Sequence, residues 1–81
     1  MEAILRLQCD PVLGGRIDRE TPIGMVTVAT VERQADGLVV HLAKNGEGAG
    51  LEYLDGLRAR DCNDLRHRIA RPEVTVTMPD I

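Results

Sequence analysis

The clearest pattern along the chain is period-two alternation, the mark of strands with one buried face. Residues 3–9 place Ala3, Leu5, Leu7 and Cys9 on one side and Ile4, Arg6 and Gln8 on the other. Asp10-Pro11 ends this strand, because Pro11 has no amide hydrogen to give a ladder. Residues 25–33 are the richest in β-branched side chains. There Met25, Ala29 and Val31 face one way and Val26 and Val28 the other, as expected of a central strand covered on both faces. Gln34-Ala35-Asp36-Gly37 follows as a turn, with Asp36-Gly37 suited to positive φ. Residues 38–44 return as its partner, with Leu38, Val40 and Leu42 toward the core. Residues 73–78 alternate again, with Val74, Val76 and Met78 inward and Thr75 and Thr77 outward.

One segment carries the helical period. Over 61–70, Cys62, Leu65 and Ile69 recur at i, i+3 and i+7 and form a single apolar stripe. Asp61 is a suitable N-cap, and Asp64 places a second acid where the helix dipole favours one. Pro72 stops the helix. The rest is less regular. Asp10 to Gly24 holds Pro11, Pro22 and the pair Gly14-Gly15, and reads as a long loop with at most a short strand around residues 16–18. Loops of that length are often functional, which makes Arg16, Asp18 and Arg19 candidate contact residues. Residues 45–50 are glycine-rich and expected to be mobile. Residues 51–60 allow a helix, from Leu51, Leu54 and Leu57, or a hairpin about Asp55-Gly56. The hairpin is favoured, because Gly56 would cost a helix about 1 kcal/mol relative to Ala. The expected fold is α+β: one domain over residues 1–81, a mainly antiparallel sheet of four to six short strands, and one short C-terminal helix packed on it.

Composition sharpens this picture mainly through absences. The chain has no Phe, no Trp, no Ser, one Tyr (Tyr53) and one Lys (Lys44). An aliphatic core in 81 residues leaves little margin, and a strand apolar on both faces with one helix to cover it predicts a homodimer or higher oligomer. Cys9 and Cys62 lie 53 positions apart without a CxxC or zinc-ligand pattern. The N-terminus, opening on Glu2, lacks the basic-then-apolar order of a secretion signal. The expected compartment is therefore the cytoplasm, of a cell or of an infected host cell, with both cysteines as free buried thiols. No apolar run reaches the ~18 residues of a membrane span, so no membrane partner is expected.

No catalytic constellation emerges. There is no serine nucleophile, both cysteines sit on apolar faces, and His41 reads as a structural histidine. The 13 acids show no pairing by spacing, and neither a metal nor a cofactor is expected. Gly14-Gly15-Arg16 could present amides and a guanidinium to an anion, but lacks phosphate-loop spacing. Charge is the most specific signal. Residues 58–71 hold Arg58, Arg60, Arg66, Arg68 and Arg71 against Asp61 and Asp64, in a chain of net charge −3. With His67 these arginines form the expected partner-binding face. The expected function is a non-enzymatic protein-interaction module. Chains of this size without a motif are common among phage and mobile-element accessory proteins, including inhibitors of host complexes. Two alternatives are a nucleic-acid-binding regulator using the 58–71 arginines, and a binder of small anions using the 10–24 segment. The first is disfavoured by net negative charge and the lack of stacking aromatics.

Overall fold

The computed structural model describes residues 2–79. Six strands form one curled sheet: β1 (Ala3–Asp10), β2 (Gly14–Thr21), β3 (Gly24–Gln34), β4 (Gly37–Leu42), β5 (Arg58–Ala59) and β6 (Val74–Thr77). Their order across the sheet is β5-β4-β3-β2-β1-β6. Every pairing is antiparallel except β1 with β6. The single helix, α1 (Cys62–Ile69), lies between β5 and β6 in the chain. It packs against β5, β1 and β6, and its Leu65 and Ile69, both fully buried, join Leu5, Leu7, Ile17, Val31 and Val40 in one core on one face of the sheet. The fold is thus α+β, as the alternation and the single helical stripe predict.

The stretch Asp10–Gly24, expected as a long loop, is instead the hairpin arm β2, an eight-residue strand. Its alternation is masked because it carries Arg16, Asp18, Arg19 and Glu20 around one apolar residue, Ile17. Asp10 makes the turn, its carboxylate accepting the Val12 and Leu13 N–H groups at 2.7 and 2.9 Å. The glycine pair serves close strand packing. A Cβ on Gly15 would lie 1.8 Å from the Gln8 carbonyl oxygen, and one on Gly14 2.3 Å from that of Val31.

A β-bulge corrects the expected facing of β3. Ile17 pairs with Ala29 but Asp18 pairs with Thr27, so Val28 is the extra residue. Val28 and Ala29 both enter the core, with Val31, while Met25 turns to the open face and is 45 % exposed. The strand is therefore apolar on one face, and the two-faced pattern that argued for association disappears.

Residues 51–60 are neither a helix nor a hairpin. A 3-10 turn (Glu52–Leu54) buries Leu51 and Leu54, and Gly56 at φ +77° swings the chain into β5. This path covers the outer edge of β4. Val40 N–H donates to Leu57 O, Gly56 N–H donates to Val40 O, and the Asp55 carboxylate accepts Leu42 N–H at 3.1 Å. The segment expected to be mobile, 45–50, begins in a second 3-10 turn (Lys44–Gly46) that buries Gly46 against Val28. Met78, expected inward, lies beyond β6 and is 37 % exposed.

The cysteines also differ from expectation. Cys9 and Cys62 form a disulfide, with Cα atoms 5.8 Å apart, and are not free thiols. Cys9 is the last inward position of β1 and Cys62 the first residue of α1, so laying the helix over the sheet brings them together. The inference from compartment could not see this juxtaposition. In the chain-entropy account a closed loop of this length contributes about 4 kcal/mol. In a domain this small 1 kcal/mol moves Tm by roughly 4–8 °C. Reductant, or the pair of changes Cys9→Ala and Cys62→Ala, should lower Tm by more than about 10 °C. Identical melting curves with and without reductant would contradict the cross-link's role.

Candidate functional site

The helix forms as its sequence predicts. Asp61, in extended backbone, accepts the Asp64 N–H through Oδ1 at 2.7 Å. The side chain of Asp64 is only 14 % exposed and gathers the arginines around it. It accepts the Arg60 backbone N–H at 2.9 Å and Arg68 Nε at 3.0 Å, with Arg60 Nε at 3.7 Å. The Arg60 amide, and then Arg68, hold its carboxyl below the usual carboxylate range.

The arginine block does not form one face. Arg58, on β5, reaches across β4 to Gln34 Oε1 at 3.1 Å, over Val39, which is 5 % exposed on the otherwise open side of the sheet. Arg58, Arg60 and Arg68 border a cleft of about 260 Å³ with Asp36. Arg71 is exposed and stacks on Tyr53 with its guanidinium 3.8 Å from the ring centroid. Tyr53 in turn donates to Ile69 O at 2.9 Å, tying the end of α1 to the 52–54 turn. Burial pushes the Tyr53 hydroxyl's pKa up, and the Arg71 charge acts in the opposite sense. Arg66 and His67 are exposed and have no polar partner among the described residues.

Of the three candidates of the 10–24 segment, Arg16 and Asp18 come together and Arg19 stands apart. Arg16 Nε meets Asp18 Oδ2 at 3.1 Å on the open face of the sheet. Asp18 is 5 % exposed and its second oxygen accepts Thr27 Oγ1 at 2.7 Å. Arg19, next in the strand, belongs to the opposite face, in register with Leu5 and Val26. Gly14-Gly15-Arg16 opens β2, with Gly14 at φ +84° and Gly15 packed against the Gln8 carbonyl. His41 is exposed and within 2.7 Å of Glu32 across β3 and β4.

The feature missed from the sequence is the β1–β2 turn. Val12 and Leu13 are 72 % and 82 % exposed at its tip. Behind them lies a cleft of about 580 Å³ whose walls include Cys9, Leu13, Gly15, Val31 and Met78. The signal was the apolar pair Val12-Leu13 inside a turn sequence, between Asp10-Pro11 and Gly14-Gly15. The N–H groups of Leu13 and Val12 hold the Asp10 carboxyl below its ordinary range. Among the described residues, no three His, Cys, Asp or Glu side chains come together as metal donors. No described helix is long and apolar enough to cross a membrane. Comparison of the chain with protein-family models, curated proteins and solved structures finds no match.

The depressed carboxylates set the acid response. A carboxyl whose folded-state pKa lies below its unfolded value stabilises the fold above the unfolded value, near 3.9 for Asp. That contribution is lost as pH falls through the folded value. Wild-type Tm should therefore drop with acidification below about pH 4, and Asp64→Ala should show a shallower drop from a lower starting Tm. Parallel pH–Tm curves for the two proteins would show that Asp64 does not organise the α1 end.

Proposed function

We propose that the protein is a non-enzymatic interaction module that binds another protein through the end of the sheet formed by the β1–β2 turn. One observation carries this reading: Val12 and Leu13 are held outward on a turn fixed by Asp10, beside an apolar cleft. Two large aliphatic side chains presented to water cost little to order, because the turn is already set. Leu13 and the exposed Met78 both line the cleft, with Gln8, Asp10 and Arg16 as its polar members, which supports a mixed surface with an apolar centre.

This shifts the centre of the interaction away from residues 58–71. Four of those arginines already have intramolecular partners: Asp64 for Arg60 and Arg68, Gln34 for Arg58, and Tyr53 for Arg71. They are less available to a partner protein, and nucleic-acid binding through them has correspondingly less support. Arg66 and His67 remain free to contribute a polar rim.

The test is hydrogen exchange on the complex recovered from the native source. Protection should appear at the Val12, Leu13 and Met78 amides, and Leu13→Ser should weaken binding at least tenfold while leaving Tm within a few degrees. Protection confined to α1, with Leu13→Ser binding normally, would return the contact surface to the arginines.

A further inference from the structure

The opposite end of the sheet holds a second cleft, of about 390 Å³. Arg19, Glu73, Ala3, Val74 and the glycines Gly48 and Gly50 line it. Arg19 is a cation on the core side of the sheet, in register with the fully buried Leu5. It is half-buried and makes no hydrogen bond or ion pair among the described residues. Its stem is partly covered while its guanidinium, with no partner in the protein, keeps its donors available to a ligand. Glu73 stands on the same cleft, its backbone fixed by the Ala3 N–H donating to Glu73 O at 2.9 Å. The two opposite charges share the cleft without forming an ion pair.

The rim is built to stay low. Gly48 and Gly50 adopt φ of +74° and +78°, and a Cβ at either would meet nothing within 4 Å. Backbone conformation, not crowding, requires glycine there. The Gly48 N–H donates to Glu52 Oε1 at 2.7 Å, which ties the rim to the 52–54 turn. The result is an open pocket of small-molecule size lined by one charge of each sign and by small or apolar residues.

We propose that this cleft binds a small zwitterion of the amino-acid type, with its carboxylate on Arg19 and its ammonium group on Glu73. Charge complementarity selects this class. A simple anion would meet repulsion from Glu73 and a simple cation repulsion from Arg19, whereas a zwitterion satisfies both. The site lies at the far end of β1 from the Val12-Leu13 turn and does not depend on the protein-binding reading.

The probes are L-alanine, L-leucine and L-glutamine, with acetate and methylammonium as single-charge controls, followed by amide chemical shifts. At least one amino acid should give saturable shifts at Arg19, Gly48, Gly50 and Glu73, with acetate and methylammonium at least tenfold weaker. Arg19→Met should abolish those shifts while keeping or raising Tm, because it replaces an unpaired cation with an apolar chain of similar length. Glu73→Gln, on the exposed rim, should fold normally and lose the preference for amino acid over acetate. Any of three results would overturn the proposal. One is no saturable shift at millimolar amino acid. Another is acetate binding as tightly as the amino acids. The third is a clear fall in Tm for Arg19→Met, which would make Arg19 a structural residue.

Discussion

A single eight-residue helix covers part of one face of a six-stranded sheet, and it does so with two fully buried side chains, Leu65 and Ile69. Such a helix is too short to be stable alone, so packing and tethers must hold it. Three tethers do. The Cys9–Cys62 bond fixes its first residue to β1, the Asp61 cap closes its first turn, and Tyr53 grips its last carbonyl. More of that face is closed by Leu51 and Leu54. With no aromatic among the fully buried side chains, area is gained by covering the sheet with short segments.

The same economy explains where polar groups end up. Asp18 is accommodated at 5 % exposure because Arg16 and Thr27 satisfy its two oxygens. Asp64 compensates the arginines crowded near α1. The outer edge of β4 is capped by backbone from residues 56–57 and by Asp55, which blunts it against unwanted pairing. Among what stays unpartnered or exposed are the apolar tip at Val12-Leu13, Ile23, Arg66, His67 and the half-buried Arg19.

Much of the fold was legible. Period-two alternation marks β1, β3, β4 and β6, and the Cys62–Leu65–Ile69 stripe with its Asp61 cap marks α1. β2 was hidden because four of its eight residues are charged and the glycine pair resembles a loop. The bulge at Val28 was invisible because register depends on the neighbouring strand, not on the strand's own pattern. The 51–60 region combined helical spacing with a turn dipeptide, and burial of Leu51 and Leu54 beneath a 3-10 turn was a tertiary outcome. The disulfide was missed because separation in sequence says nothing of proximity in space. The candidate site moved for a related reason: the arginines are adjacent in sequence, but strand, helix and post-helix segment send them to different partners.

The Cys9–Cys62 link and the burial of Leu65 and Ile69 together hold α1 on the sheet, and the helix depends on both. Site-resolved amide hydrogen exchange on oxidised and reduced protein under native conditions tests that dependence most directly. The account predicts that reduction strips protection from Leu65 and from the amides that follow it in α1, while the β2–β3 and β3–β4 ladders keep theirs. Unchanged protection in α1 after reduction, or uniform loss across helix and sheet, would contradict it.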